Sequence, residues 1–239
     1  MKLQQLYSYT RKALDTYHMI EAHDKIAIGI SGGKDSLTLL YALAGLKKFY
    51  PIPFELEAIS VHLGYDEFDL TAITNLCNQL QIRHTIVFTE ISTIIMEGRK
   101  EQNPCSLCAK MRKGALNNKA KELGCNKIAY AHHKDDLVET MLLSLLFEGQ
   151  FYAFPPVTHL ERSNLTVIRP LMFINEKDIK GFQNKYYLPI CKNPCPVDGH
   201  TKREYAKQLI RQLNHDHPGA KDRMFHAIVT GNIIDWPNL

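Results

Sequence analysis

The stretch KIAIGISGGKDSLTLLYALAGLKKF, residues 25–49, changes its period once, and that change constrains the fold more than any other feature of the chain. Lys25 to Ser31 is apolar at nearly every position and rich in isoleucine, the pattern of a strand buried on both faces. Asp35 to Phe49 switches to helical spacing. Between them sits SGGKDS. A strand that turns directly into a helix leaves the first helical N–H groups unpaired, aimed at whatever lies in front of the turn. Glycine lets the backbone come close to such a ligand. Taken alone, a glycine pair is more often an ordinary turn capped by Asp35 or Ser36. The full hexapeptide adds a lysine and two hydroxyls and points to an anion site for phosphate or pyrophosphate. It is neither G-x-x-x-x-G-K-[ST] nor G-x-G-x-x-G.

The alternation continues downstream. Phe54 to Leu63 reads as a strand, Asp69 to Ile82 as a helix and His84 to Ile91 as a third strand. Ser106 to Gly124 reads as a helix stopped by its glycine. Lys127 to His133 reads as a fourth strand and Asp136 to Gly149 as an apolar helix. A helix over residues 2–20 precedes these elements, Arg169 and Pro170 close a last strand, and 176–188 and 201–215 are helical. Strands and helices alternating at these lengths predict an α/β fold: a doubly wound, mostly parallel sheet flanked by helices, with a helical C-terminal extension. There is no internal repeat, low-complexity tract or glycine- and proline-rich linker.

The 239 residues suffice for a core that buries roughly 70% of the unfolded chain's surface. A net charge of +4 permits a nucleic-acid partner without requiring one. No apolar run approaches the roughly 20 residues of a membrane span, and the start lacks the apolar centre of a leader. The expectation is a cytoplasmic protein with no membrane partner. In a reducing compartment six cysteines are more readily ligands or redox groups than disulfides.

Cys105 and Cys108 form C-x-x-C at a helix head, and Cys191 and Cys195 form a second pair. Three chemistries fit: a redox dithiol, a tetrahedral zinc site, or three thiolates holding a [4Fe–4S] cluster with one iron open. Spacing alone leaves zinc slightly ahead, yet zinc staples are usually local and these pairs lie far apart. Cys77 and Cys125 read as buried apolar residues. In YAHHKDD, His132, His133, Asp135 and Asp136 fall at the carboxyl end of the fourth strand, where open α/β sheets bind ligands. Helix capping accounts for one of the aspartates. The rest favour one site shared with SGGKDS.

SGGKDS matches the S-G-G-x-D-S signature of the PP-loop ATP-pyrophosphatases. SGGKDS, CSLCAKMRKGAL, AHHKDDLVET, IRPL and NPCPVDGHTKREYAKQLI occur in this order. Over roughly residues 20–230 the chain resembles the tRNA 2-thiocytidine synthetase branch of the PP-loop tRNA thiolases. The resemblance implies an adenine nucleotide alpha hydrolase-like fold, divided here into an N-terminal helix (1–22), a PP-loop ATP-binding domain (23–175) and a C-terminal helical segment (176–239). It implies an often dimeric cytosolic sulfurtransferase that uses ATP, Mg²⁺ and a [4Fe–4S] cluster on tRNA. Cys105, Cys108 and Cys195 match the cluster ligands. Relatives carry C-x-x-C where this chain has C-x-x-x-C, so Cys191 falls out of register and reads as a bystander or a sulfur carrier. Ser31, Gly32, Gly33, Lys34, Asp35 and Ser36, with Val61, His132 and Asp136, are expected at ATP, and Asp35 also at Mg²⁺. Asp136, Arg112 and Asp35 are the expected catalytic residues; Arg112 lies one helical turn beyond Cys108.

The implied reaction adenylates a pyrimidine C2 oxygen, that of cytidine in tRNA, and replaces it with sulfur. The sulfur arrives at the open iron or as a persulfide on Cys105 or Cys108, and its donor is a cysteine desulfurase or free sulfide. Lys110, Arg112, Lys113, Lys119 and Lys121 form a basic segment for RNA. The extra zinc-finger cysteine pairs of the 2-thiouridine enzymes are missing from this sequence. Other readings stand beside this one: another nucleoside or a small molecule as substrate, a lysidine-type ligase that would need no cysteines, and a zinc-stapled module that binds ATP without making AMP.

Overall fold

The computed structural model describes residues 1–65, 68–95, 104–191 and 202–231. They form a six-stranded sheet: β1 (Asp24–Gly29), β2 (Phe54–His62), β3 (Arg83–Phe88), β4 (Lys127–Ala129), β5 (Val157–Leu160) and β6 (Leu165–Ile168), in the order β3-β2-β1-β4-β6-β5. Every neighbouring pair is parallel except the β5–β6 hairpin at one edge. Ile26, Ala27 and Ile28 of β1 are fully buried, so the unbroken apolar run is the sequence imprint of a strand covered on both faces. From β1 the chain steps outward to β2 and β3, then returns to the opposite side of β1 at β4. The order therefore reverses between β1 and β4. Loops leaving those two carboxyl ends diverge to opposite faces and open a crevice between them.

The helices are α1 (Leu3–Thr16), α2 (Lys34–Leu46), α3 (Thr71–Gln79), the single turn α4 (Ile91–Thr93), α5 (Pro104–Glu122), α6 (Lys134–Phe147), α7 (Glu176–Tyr186), α8 (Lys202–Asp216) and α9 (Ala220–Thr230). One face of the sheet carries the larger core, where Leu6 and Leu14 of α1, Leu37 and Leu40 of α2, Phe182 of α7 and Ile228 of α9 share one cluster. A smaller cluster on the other side packs Leu116 and Ala120 of α5 on Ala27, Ile59, Ile128 and Leu165. The second half of α5 is thus anchored to the sheet. Its first half, which carries Cys105 and Cys108, projects past the carboxyl edge.

Two features depart from the sequence reading. β4 ends at Ala129 instead of His133, because His133 is the N-cap of α6: its Nδ1 accepts from the Asp136 N–H at 3.3 Å, while Asp136 Oδ2 accepts from the His133 N–H at 2.9 Å. The reciprocal pair satisfies two helix-end donors and frees Tyr130 to His132 from the sheet. β5 and α9 were not expected at all. β5 is a four-residue edge strand, mostly half-exposed, too short to show a period. No described helix is long and apolar enough to cross a membrane.

Candidate active site

The Ser31–Ser36 turn closes on itself. Ser36 Oγ accepts the Ser31 N–H at 3.2 Å and donates to the Gly33 carbonyl at 3.0 Å. Gly32 has φ +83° and Gly33 is the α2 N-cap, without a side-chain cap of the kind Asp35 or Ser36 was considered for. The N–H groups at the start of α2 stay open to a ligand. Asp35 Oδ1 is buried and has no hydrogen-bond partner among the described residues. His133 Nε2 lies 3.7 Å from it. An orphaned carboxylate oxygen beside a phosphate turn is a fitting ligand for a hard divalent cation. Lys34 behaves differently. Its ammonium holds Asp35 Oδ2 at 3.0 Å and Glu176 Oε1 of α7 at 3.2 Å. Burial works to lower its pKa, but the two carboxylates outweigh that and raise it. Glu176 is held down to about 2: burial opposes ionisation there, and Lys34, Lys207 and Lys180 overcome it.

The turn forms one wall of a cleft of about 640 Å³ at the β1–β4 switch point. Ser31, Asp35 and Ser36 line it, with Ile59 and Val61 of β2 adding an apolar strip and Asp136 closing the base. Tyr130, which packs in the same cluster as Ile59 and Val61, and His132, Phe154 and Arg169 complete the lining. Arg169 Nε donates to His132 Nδ1 at 3.2 Å, and its Nη1 donates to Thr158 Oγ1 at 3.1 Å and to the Pro155 carbonyl. The His132 ring stacks on Phe154 with centroids 4.4 Å apart. Burial, then Arg169, push the His132 pKa down to about 4. Phe154 and Tyr130 were absent from the sequence-based site, and Arg169 stood there only as a strand end. The aromatic run FYAFPP is the one signal that could have drawn attention to Phe154.

The third side is α5. Ala109, Arg112, Lys113 and Leu116 line the cleft, and Cys105 and Cys108 lie four residues before Ala109 and Arg112, on the same helical face. Cys105 is exposed and Cys108 half-buried. Cys195 lies outside the described residues. Arg112, Ser31 and Val61 also border an adjoining pocket of about 260 Å³ that holds Cys191. Cys191 braces the turn: its N–H donates to the Gly32 carbonyl at 3.1 Å and its thiol to the Asp69 carbonyl at 3.2 Å. Cys77 and Cys125 are buried as expected, their thiols pushed up to about 11 by burial.

Asp135 and Asp136 divide. Asp135 turns away from the cleft, accepting the Glu176 N–H at 2.7 Å and Lys221 of α9 at 2.6 Å. Asp136 Oδ1 takes Arg203 of α8 at 2.9 Å. Beneath it, buried Glu139 lies 3.8 Å from Arg203, and burial raises its carboxyl to about 7 against the pull of Lys207. The C-terminal helices are therefore clasped to the catalytic edge by ion pairs.

Comparison with known proteins agrees with this geometry. The PP-loop domain family matches residues 3–213. The chain is 36% identical to the tRNA-cytidine(32) 2-sulfurtransferase of Geobacter sulfurreducens over 225 residues, covering 93% of this chain and 87% of that one. It is 37% identical to the enzyme of the same name from Pelobacter propionicus over 220 residues, covering 91% and 82%. Among solved structures it resembles the U34-tRNA thiolase NcsA from Methanococcus maripaludis, determined with its [4Fe-4S] cluster, with TM-score 0.75, 26% identity, and coverage of 94% of this chain and 76% of that one.

Proposed function

Because this chain belongs to the PP-loop family, among the tRNA-cytidine(32) 2-sulfurtransferases, we propose that it is an ATP-dependent tRNA sulfurtransferase that converts a cytidine, at position 32 as in those relatives, to 2-thiocytidine. The observation that carries the reading is the single cleft at the β1–β4 switch point, into which both the SGGKDS turn and the cysteine-headed helix α5 project.

The C2 oxygen of cytosine is a poor leaving group. Its attack on the α-phosphorus of ATP forms a C2–O–P bond, breaks the α–β bridge and releases pyrophosphate. The open N–H groups of the turn and the α2 N-terminus take up the charge of that pyrophosphate. The apolar strip of Ile59 and Val61 suits an adenine ring. The unpartnered Asp35 Oδ1 would hold Mg²⁺ beside the phosphates, and the ion would supply charge neutralisation there. In the second half sulfide forms a bond to C2, the C2–O bond breaks, AMP departs and the S–H proton passes to solvent. Arg112 stands where it can offset the charge on the departing AMP, and Asp136, fixed by His133 and Arg203, orders the edge between the two halves. Cys105 and Cys108, on the face that leads to Arg112, fit a cluster at the mouth of the cleft, with Cys195 as third ligand. A [4Fe–4S] cluster there supplies an iron without a cysteine, able to carry the incoming sulfur.

The RNA path follows a groove of about 590 Å³ that shares Lys113 with the cleft and is lined by Lys121, His159 and Arg162. A loop base splayed from that path reaches the cleft. The sulfur donor is free sulfide, or a cysteine desulfurase whose persulfide sulfur is reduced to sulfide by an external thiol, which leaves as a disulfide. The working unit is a homodimer, a reading supported by the exposed Leu145, Leu146, Phe147 and Phe151 at the end of α6.

The test is anaerobic purification with iron and acid-labile sulfide assays, together with tRNA-dependent AMP release and nucleoside mass spectrometry. About four irons and four sulfides per chain, lost in Cys195→Ala and kept in Cys191→Ala, with 2-thiocytidine as product, support the reading. Zinc without iron, or ATP bound with no tRNA-dependent AMP, overturns it.

A further inference from the structure

We propose that Phe154, His132 and Arg169 form the pyrimidine subsite of the cleft, with the Nε2–H of His132 donating to ring N3 of the target base. The inference rests on the tRNA thiolase reading and deepens it. It also gives His132 a different partner from the ATP implied by motif resemblance.

Arg169 Nε carries a single N–H, always protonated, and points it at His132 Nδ1 from 3.2 Å. Nδ1 must therefore be the bare nitrogen, and the ring proton sits on Nε2. The ring cannot easily turn to change this. It lies nearly parallel to Phe154, 17° from coplanar, while Arg169 is itself held over the same Phe154 at 5.3 Å. Flipping would set the Cδ2–H against the Arg169 N–H and lose the bond. Nε2 has no hydrogen-bond partner among the described residues, and His132 lines the cleft. Burial and the Arg169 charge, which bring the pKa to about 4, keep the ring neutral at physiological pH. A fixed, neutral N–H donor thus faces the cleft without an acceptor.

A second unsatisfied donor stands in the same wall. Tyr130 Oη is buried with no hydrogen-bond partner among the described residues, and burial raises its pKa to about 12, so it keeps its proton. Its ring centroid lies 5.8 Å from that of His132. Tyr130 Oη is sealed from solvent, so the donor open to the cleft is the His132 Nε2–H, and with the Phe154 ring beside it this wall calls for a flat ligand with an acceptor along its edge. Cytosine has that edge: O2 and N3 side by side, both acceptors, on a ring that stacks.

The hydrogen bond has work to do in both halves of the reaction. It fixes the base so that O2 faces the turn. When sulfide adds to C2 of the adenylated base, electron density shifts toward N3. The Nε2–H bond strengthens there, and the density returns as the C2–O bond to AMP breaks. No proton is transferred.

The experiment compares wild type with His132→Ala, His132→Gln and Phe154→Leu as anaerobically reconstituted holoprotein. The readouts are ATP affinity, tRNA-dependent AMP release and 2-thiocytidine formation. His132→Ala should lower thiolation about 100-fold, the typical cost of one transition-state donor, with ATP affinity within about twofold of wild type. The Gln amide N–H reaches the Nε2 position, so His132→Gln should recover about tenfold over Ala on the same scale. Phe154→Leu should raise the KM for tRNA more than it lowers kcat. Unchanged ATP binding doubles as proof of folding. ATP affinity that falls in step with thiolation would assign His132 to the nucleotide and end the proposal, as would a Gln variant no better than Ala. Wild-type protein that forms no thiolated nucleoside overturns the thiolase reading and this inference with it, whereas full wild-type turnover retained by His132→Ala overturns the inference alone.

Discussion

The turn from Ser31 to Ser36 and the wall of Tyr130, His132, Phe154 and Arg169 line one cleft, yet they are made in opposite ways. The turn comes from six consecutive residues, and what it offers a ligand is main-chain N–H. The wall gathers side chains from three separate stretches and offers them by stacking and by one guanidinium that sets a tautomer. A main-chain site depends on backbone angles and tolerates side-chain exchange where the φ allows it. A side-chain wall depends on each neighbour and tolerates little. The comparison also orders the chemistry: phosphate, which every ATP enzyme shares, meets the local motif, and the base meets the assembled wall.

The strongest blow to the turn side should come from its one exposed weakness, the unpartnered Asp35 Oδ1. Asp35→Asn preserves the shape and removes the charge that a divalent cation needs. AMP release at saturating tRNA should fall about 1,000-fold, the upper range for losing a charge-stabilising group. A loss below tenfold would show that the cation, if used, is held by phosphate alone.

Gly32→Ala tests the backbone half of the contrast. At φ +83° an alanine is strained by about 1–2 kcal/mol, and its Cβ would come within 3.1 Å of Cys191 Cβ. ATP should bind about tenfold more weakly, since 1.4 kcal/mol is a factor of ten. Calorimetry with a non-hydrolysable analogue reads this directly. Wild-type affinity in Gly32→Ala would mean that the turn relaxes freely and that its N–H groups are not preorganised.

Next in size is the RNA groove, which belongs to neither wall. Lys121→Gln should lower tRNA affinity several-fold and reduce the slope of log affinity against log salt by about 1, the signature of one lost phosphate contact. ATP affinity should not move. An unchanged slope would take the path of the tRNA away from the side of α5 that carries Lys113 and Lys121.

The same contrast explains what could be read from the sequence. β1 and α2 were legible because the period change at SGGKDS is local and steep, whereas the strand order is set by long-range pairing and was not read. The end of β4 was read four residues too long, because the cap made by His133 and Asp136 does not show in an apolar run. The wall was not legible. Phe154 precedes a weak edge strand, and Arg169 is one arginine at a strand end. Nothing in either stretch announces that they meet at His132, 22 and 37 residues away in sequence. Asp135 misled in the opposite direction. Beside Asp136 it reads as part of the site, yet its carboxylate is spent on the N-terminus of α7 and on Lys221, because helix starts attract acids whether or not they are catalytic.

The smallest effect, and the one that probes the wall without any substrate, is the dependence of stability on pH. His132 has its pKa lowered to about 4, against about 6.5 in an unfolded chain. Between those values the unfolded state binds the proton that the folded wall refuses, so stability rises with pH there and falls as pH drops from 6.5 toward 4. Glu139 has the opposite sign. Its carboxyl is raised to about 7, so the folded state holds a proton that the unfolded chain releases above about 4.5, and stability falls as pH rises from 4.5 to 7. The two slopes overlap and partly cancel in wild type. Relative to wild type, the urea midpoint of each single variant uncovers the other's slope between pH 6.5 and 4.5. His132→Gln should grow more stable as pH falls through that range, and Glu139→Gln less stable. If the gap between wild type and His132→Gln stays constant from pH 6.5 to 4.5, the imidazole titrates as it would in water. The wall then lacks the burial that holds its tautomer, and the contrast between the two sides of the cleft collapses to the turn alone.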